Sequence, residues 1–159
     1  MFYDQSKIFN FMEIALKQAQ LAFKEQEVPI GAILVKDGNI ISQNHNRKEQ
    51  LNLATAHAEK LVIEEGNLKL NSWRLTGCSL FVTVEPCVMC CGAILQSRIP
   101  ELYYGTNNTK FGGVNSLYNL LDDRRENHEV KIYPRILERA SNNLMKKFFL
   151  KIRNKEEEK

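Results

Sequence analysis

Apolar residues recur at intervals of three and four along the first part of the chain, with lysines and glutamines between them. This spacing predicts an amphipathic helix over about residues 6–24. A largely apolar run at 28–35 then predicts a buried strand. Asp37-Gly38 is typical of a tight hairpin turn, and residues 40–44 provide the returning strand.

The alternation of helices and strands continues through the rest of the chain. A second helix is predicted to begin near residue 55 or 56 and to end at Gly66, because glycine commonly stops a helix. An apolar strand at 80–84 follows, and Pro86 separates it from a third helix ending near Ser97. The remaining predicted elements are a strand at 99–104, a loop at 105–113, a short helix at 117–121, a strand at 130–133 and a helix at 136–153. This order predicts an α/β fold with one mixed sheet between helices.

Two cysteines three residues apart, Cys87 and Cys90, directly follow Pro86. Proline suits the first turn of a helix, so both cysteines are expected on one face of that turn. The helix dipole favours thiolates there, and two thiolates form half of a tetrahedral zinc shell. A pair of buried free cysteines and a redox dithiol share the same local pattern, so both alternatives stay open.

His57 is the candidate third ligand of the predicted zinc site, because it begins a helix and belongs to the chain's only His-x-Glu. Three protein ligands leave a fourth position for water, whose pKa zinc lowers to about 7. Glu59 can then reach the open face of the metal and act as general acid and base. Alone, His57 would be interpreted as a capping or packed histidine and Glu59 as a solvated helix residue. Their joint occurrence with Pro86-Cys87-x-x-Cys90 favours the metal site.

Composition and charge narrow the class of protein. A hydrophobic fraction of 43% and a charged fraction of 26% are ordinary for soluble globular proteins, and 159 residues fit one domain, predicted over 1–159. The N-terminus lacks the apolar core of a signal peptide, and the least charged run, 75–96, is interrupted by Glu85 and Pro86, so no membrane span is expected. Four cysteines, two of them adjacent, make a poor disulfide framework, which favours a reducing cytoplasm.

Basic residues gather late in the chain, although the net charge is only +3. They are Arg135, Arg139, Lys146, Lys147, Lys151, Arg153 and Lys155. Such a run is either the solvated face of a helix or a patch for phosphate contacts. Phe148 and Phe149 lie within it; each either packs in the core or stacks on a base, and one can pack while the other faces RNA.

His-x-Glu followed by Pro-Cys-x-x-Cys is the signature of the zinc nucleobase deaminases. By this resemblance the chain is similar to the bacterial tRNA-specific adenosine deaminases over nearly all of its length. The matching stretches are 28–32, 45–47, 55–59, 84–90, 97–99, 113–117 and 148–149. The zinc core alone is shared with cytidine, guanine and riboflavin-pathway deaminases. Asn127-His128 and the basic C-terminal helix favour the tRNA branch.

The resemblance implies a three-layer α/β/α, cytidine-deaminase-like fold, with helices on both faces of a five-stranded mixed sheet. It also implies a cytoplasmic homodimer that converts adenosine to inosine at the wobble position of a tRNA anticodon stem-loop, with one Zn²⁺ per subunit, no organic cofactor and no membrane association. His57, Cys87 and Cys90 would be the metal ligands. Glu59 would protonate N1 of adenine, water activated by zinc would attack C6, and Glu59 would deliver a proton to the departing ammonia.

The resemblance further implies a set of substrate contacts. Asn46 would hold the flipped nucleoside, and Ile30 and Val84 would lie against the base. The full expected set is Asn46, Ile30, Ala58, Val84, Pro86, Asn108, Lys110, Phe148 and Phe149.

Other cysteines and histidines compete for a role. Cys91 follows the second ligand where the family usually has a small residue; because a helical neighbour points about 100° away, we expect it to fill the core. Cys78 precedes a strand and is expected to be buried. His45 and His128 are candidates for a fourth ligand, and the resemblance argues against both.

Asn108 occupies a loop position at which related enzymes often carry an acidic residue. A neutral amide beside the substrate backbone would relax a preference that depends on charge or on the 2′-hydroxyl. One hypothesis is therefore weaker discrimination against single-stranded DNA; the alternative is a surface asparagine in a turn.

Two other functions remain open at this point. A free-base or small-nucleoside deaminase, such as a guanine deaminase, would share the fold, but the basic helix has little purpose for a free base. A noncatalytic, zinc-stabilised RNA-binding module would close the fourth zinc position with a protein side chain, and Glu59→Ala would leave its activity intact.

Overall fold

The structure, a computed structural model, describes residues 2–157. Its helices are α1 (Gln5–Lys24), α2 (Lys48–Leu51), α3 (Ala58–Leu70), α4 (Val88–Gln96) and α5 (Glu138–Glu157). Its strands are β1 (Gly31–Lys36), β2 (Asn39–His45), β3 (Cys78–Val84), β4 (Glu101–Thr106) and β5 (Lys131–Tyr133). Within these residues no helix is both long and apolar enough to cross a lipid bilayer.

The five strands form one mixed sheet in the order β2-β1-β3-β4-β5. β1 is antiparallel to both of its neighbours, whereas β3, β4 and β5 are parallel. The register pairs Gly31 with His45 and Val84 with Thr106. The start of β1 and the ends of β2, β3 and β4 therefore meet at one edge of the sheet, which we call the site edge.

Helices cover both faces of the sheet, so the predicted three-layer arrangement is confirmed. Because side chains alternate along a strand, Ala32 and Leu34 of β1 pack in the core beneath α3 and α4, whereas Ile33 and Val35 pack against α1. α5 lies on the same face as α1 and contacts β4. The all-buried pattern of β3 reflects this burial on both faces.

The predicted end of the second helix at Gly66 is wrong. α3 continues to Leu70 and ends at Asn71, which adopts the left-handed conformation with φ of 49°. Gly66 lies inside the helix, where glycine is needed because a Cβ would come within 2.3 Å of the Leu34 side chain on β1. The glycine therefore serves close packing of helix on sheet, not helix termination.

Other boundaries also differ from the predictions: β1 begins at Gly31 rather than 28, α3 begins at Ala58 rather than 55 or 56, and β4 spans Glu101–Thr106 rather than 99–104. Pro86 precedes the N-cap Cys87 instead of occupying the first turn of α4. The predicted helix at 117–121 is reduced to one 3₁₀ turn at Leu120–Asp122. α5 begins at Glu138 rather than 136, because Leu137 has φ of 51° and cannot belong to a right-handed helix. The short α2 was not predicted.

Candidate metal centre and active site

The N-termini of α3 and α4 both lie at the site edge, and each is preceded by a predicted metal ligand. His57 is the N-cap of α3 and Cys87 is the N-cap of α4. Both have extended backbones, and neither side chain makes a capping hydrogen bond to its own helix. The two side chains are therefore available to each other across the gap between the helices.

His57, Cys87 and Cys90 meet in one cluster whose donor atoms lie within 4.8 Å of one another. His57 Nδ1 is 3.5 Å from Cys87 Sγ and 3.7 Å from Cys90 Sγ. Tetrahedral zinc, with its ordinary bond lengths to nitrogen and sulfur, requires a separation of about 3.6 Å. The donor set and its spacing therefore fit zinc.

The pKa values of Cys87 and Cys90 are shifted in opposite directions. The hydrogen bond from the Cys90 thiol is the largest cause that lowers the pKa of Cys87 to about 4; burial opposes it and His57 assists it. The pKa of Cys90 is raised, first by Cys87 and then by burial. Because thiols bind metals as thiolates, metal binding would release the proton of Cys90.

Glu59 lies in the first turn of α3, two residues after His57, but is not one of the three residues of the donor cluster. Its side chain is 3% exposed, and burial raises the pKa of its carboxyl to about 7. Its Oε2 atom is buried and has no hydrogen-bond partner among residues 2–157. Because buried polar atoms are nearly always paired, this oxygen fits a role in which water or substrate supplies the partner.

Asn46 ties the predicted base-binding residues together. Its Oδ1 accepts a hydrogen bond of 2.8 Å from the N–H of Ala58, and its own N–H donates to the carbonyl of Ile30 at 3.0 Å. Ile30 is half-buried, and Val84 is 1% exposed at the end of β3. The structure thus brings Asn46, Ala58, Ile30 and Val84 to the same edge as the predicted metal ligands.

The sequence matches known proteins over most of its length. The MafB19-like deaminase family matches residues 6–153. The tRNA-specific adenosine deaminase of Streptococcus pyogenes serotype M1 is 49% identical over 139 residues, which cover 87% of this chain and 81% of that protein. The enzyme of that name from Aquifex aeolicus is 49% identical over 146 residues, covering 91% and 95%. The chain belongs to the tRNA-specific adenosine deaminase family.

A solved structure agrees with this assignment. It comes from work on A-to-I editing by tRNA:A34 deaminases at the wobble position of transfer RNA. It superposes with a TM-score of 0.82 at 42% identity, covering 85% of this chain and 98% of that one. The predicted cytidine-deaminase-like fold is thereby confirmed for this member of the family.

Glu85 is a buried carboxylate of this deaminase whose role no sequence motif predicts. The carboxylate is 1% exposed, and it accepts hydrogen bonds from the backbone N–H groups of Asn108, Val114, Asn115 and Ser116 at 2.7–3.1 Å and from the Ser116 hydroxyl. Burial raises its pKa, but these bonds outweigh burial, so the pKa lies below its usual value. The only signal in the sequence was a charged residue directly after an apolar strand.

Two predicted contacts, Asn108 and Lys110, lie in the loop that Glu85 holds. Asn108 Oδ1 accepts a hydrogen bond of 3.1 Å from the N–H of Phe111, which makes a local turn. Lys110 is exposed beside it. Pro86 is buried, and its carbonyl accepts a hydrogen bond of 2.8 Å from Gly113 at the other end of the loop. Contact of Asn108, Lys110 and Pro86 with substrate stays a prediction.

Phe148 and Phe149 of α5 have different environments. Phe148 is 6% exposed, and its ring centroid is 6.1 Å from that of Phe23 on α1. Phe149 is 47% exposed. Phe148 packs against α1, which disfavours the expected substrate contact, whereas Phe149 presents a face to solvent. Contact of either ring with substrate stays a prediction.

The remaining cysteines and histidines lie outside the donor cluster. Cys78 and Cys91 are fully buried in the core, as predicted. His45 Nε2 is 2.7 Å from a Glu25 carboxylate oxygen. His128 Nε2 is 2.8 Å from the carbonyl of Ile99. Both imidazoles are thus engaged by other groups.

Proposed function

We propose that this chain is a zinc-dependent hydrolase that converts adenosine to inosine at the wobble position of a tRNA anticodon, with release of ammonia. The observation that carries the proposal is the cluster of His57, Cys87 and Cys90 beside a buried, unpaired oxygen of Glu59. Family membership and the match to a tRNA:A34 deaminase structure support the choice of substrate.

The proposed ligands are His57 through Nδ1, Cys87 and Cys90, with one Zn²⁺ per subunit. The ion would supply Lewis-acid activation of water near neutral pH. No organic cofactor is part of the proposal, because hydrolytic removal of an amino group requires only water and proton transfer. The balance is adenosine plus water giving inosine plus ammonia.

Glu59 is the proposed proton carrier. Its carboxylate takes a proton from the attacking water and donates one to N1 of adenine, which makes C6 more electrophilic. It then takes the second proton of that water from the hydroxyl group now attached to C6 and donates it to the amino group, which leaves as ammonia. Burial suits this role, because a carboxyl whose pKa is raised to about 7 can both accept and release a proton near neutral pH.

The base is proposed to enter the site edge in a flipped conformation. The side-chain NH₂ of Asn46 would donate to the nucleoside, because Asn46 Oδ1 is already bonded to Ala58. Ile30 and Val84 would line the apolar wall against the base. An anticodon loop suits such a site, since its bases are splayed out at small energetic cost.

α5 and the 105–110 loop are the proposed contacts to RNA outside the pocket. The exposed basic residues of α5 would neutralise phosphates, and Phe149 would stack on a base. Asn108 and Lys110 would lie along the substrate backbone. A cytoplasmic homodimer built from a single domain over 1–159 completes the proposal, and light scattering of the purified protein tests the dimer.

The deciding experiment is sequencing of inosine in an anticodon stem-loop after incubation with the zinc-loaded protein. Inosine at the wobble position, absent with Glu59→Ala, supports the proposal. Ammonia release from guanine or cytidine without RNA editing would favour a free-base or small-nucleoside deaminase. RNA binding unchanged by Glu59→Ala, with no ammonia from any substrate, would favour a noncatalytic module.

A further inference from the structure

The loop from Asn107 to Ser116, which we call the Glu85 loop, is attached to the sheet through one buried side chain. Glu85 follows β3 directly, and its own N–H donates to the Thr106 carbonyl at 2.8 Å. Its carboxylate then turns into the Glu85 loop, 22 to 31 residues further along the chain, where it meets the donors described above. The Glu85 carboxylate therefore binds residues at both ends of the loop, Asn108 near its start and Ser116 at its end.

The two carboxylate oxygens hold different parts of the Glu85 loop. Oε1 accepts from the backbone N–H groups of Val114, Asn115 and Ser116, at 3.1, 2.7 and 2.9 Å. Oε2 accepts from the N–H of Asn108 at 2.9 Å and from the Ser116 hydroxyl. The distal end of the loop is thus fixed by Oε1, and the segment with the proposed substrate contacts is fixed by Oε2.

Close packing confirms that the Glu85 loop lies directly on the segment that carries the first cysteine ligand. A Cβ at Gly112 would lie 2.5 Å from the Glu85 carboxylate, so no larger residue fits there without displacing one of them. Gly112 also forms an isolated antiparallel bridge with Cys87. The position of the loop relative to the metal ligands is therefore set by residues 85–87.

We propose that Glu85 is a positioning residue, which holds Asn108 and the exposed tip of the Glu85 loop at the distance from the metal centre that a long RNA substrate requires. This inference rests on the proposed function. Glu85 acts through the loop and touches neither the ligands' donor atoms nor the substrate. Its loss is expected to weaken RNA binding more than the chemical step.

Glu85→Gln provides a sharp test, because the amide keeps one acceptor and turns the other into a donor. When the amide oxygen of the variant takes the place of Oε1, which has three N–H donors, its NH₂ group takes the place of Oε2. The NH₂ group then faces the N–H of Asn108, and the hydrogen bond to Asn108 is lost. We expect KM for an anticodon stem-loop to rise about tenfold while kcat changes less than about threefold. Zinc is expected to remain at one ion per chain. Glu101→Gln is the matched control, since Glu101 is also 1% exposed but begins β4 at the opposite edge of the sheet.

Amide exchange, measured by NMR on the protein without RNA, tests the positioning separately from activity. In Glu85→Gln the Asn108 amide should exchange at least about tenfold faster, while the amides of Val114 and Asn115 stay protected. If the wild-type protein fails to edit RNA, the proposed function fails, and this exchange pattern still decides the role of Glu85. An unchanged Asn108 exchange rate would overturn it.

Three further results would overturn the inference. In Glu85→Gln these are a fall in kcat at constant KM and a loss of zinc; in the control Glu101→Gln it is a rise in KM as large as that of Glu85→Gln. Should Glu85→Gln fail to fold, Gly112→Ala keeps the charge of Glu85 but forces the loop and the carboxylate apart, and the same rise in KM is expected. A Gly112→Ala enzyme with wild-type KM and faster Asn108 exchange would also contradict the proposal.

Discussion

The side-chain oxygen of Asn46 accepts a hydrogen bond from the backbone N–H of Ala58 at 2.8 Å. Asn46 directly follows β2, and Ala58 is the first residue of α3, between His57 and Glu59. The bond satisfies one of the N–H groups that a helix leaves unpaired at its start. The Ala58 N–H is thus paired without the side chain of the N-cap residue His57. The His57 imidazole can therefore face the cysteines. One asparagine therefore orients the start of the helix that carries both a proposed ligand, His57, and the proposed proton carrier, Glu59.

Two substitutions at Asn46 separate its structural role from its proposed role in binding the nucleoside. Asn46→Ala leaves the Ala58 N–H unpaired and should lower the free energy of unfolding by about 1–2 kcal/mol. Asn46→Asp keeps the acceptor and should lower it by less than half as much, but it removes the NH₂ donor. Both variants should lose at least about 100-fold in kcat/KM. Near-normal activity in Asn46→Asp would show that the amide does not hold the nucleoside.

Removal of the metal should abolish activity and lower the melting temperature, because the binding energy of the ion contributes to folding. Dialysis against a chelator, followed by titration with Zn²⁺, should restore about one equivalent per chain together with activity. Cys90→Ser and Cys91→Ala are a matched pair of adjacent cysteine variants. Elemental analysis should find zinc lost from the first and retained in the second. Zinc retained in both would exclude Cys90 from the ligands.

Gly66→Ala should destabilise the protein although alanine is the better helix former. The added methyl group would meet Leu34 on β1 at 2.3 Å, and overpacking of this kind costs about 1–3 kcal/mol. Leu68→Ala, two residues along the same helix, is the control, because Leu68 is 82% exposed and should change the unfolding free energy by less than about 0.5 kcal/mol. Chemical denaturation measures both, and a stabilised Gly66→Ala would mean that the helix shifts to accept the methyl group.

Gly66 also illustrates what could and could not be predicted from the sequence. The strands were found because local alternation and β-branched runs encode them, and the donor cluster was found because its motif is short. By contrast, Gly66 resembles a helix stop until Leu34, 32 residues earlier in the chain, is known to pack on it. The role of Glu85 depends on partners 23 to 31 residues away. Only the fold brings such groups together.

Asn108 should permit measurable turnover of single-stranded DNA. Asn108→Asp preserves the acceptor that receives the Phe111 N–H, so the local turn should remain while a negative charge is added beside the substrate backbone. Matched RNA and DNA hairpins, compared by the ratio of their kcat/KM values, should show higher RNA preference in Asn108→Asp than in the wild type. Undetectable DNA turnover beside normal RNA turnover in the wild type would rule out the hypothesis.

Phe148 and Phe149 are adjacent in α5, but their replacement by alanine should affect different properties: protein stability for Phe148 and RNA binding for Phe149. Phe148 is 6% exposed and packs on Phe23, so Phe148→Ala should cost about 3–5 kcal/mol of unfolding free energy. Phe149→Ala should leave stability nearly unchanged but weaken binding of an anticodon stem-loop by about 1–3 kcal/mol, because an exposed ring can stack on a base. Binding isotherms at two salt concentrations separate stacking from charge, since only the phosphate contacts of the basic residues depend steeply on salt. Equal RNA affinity of Phe149→Ala and wild type at both concentrations would leave α5 with phosphate contacts alone.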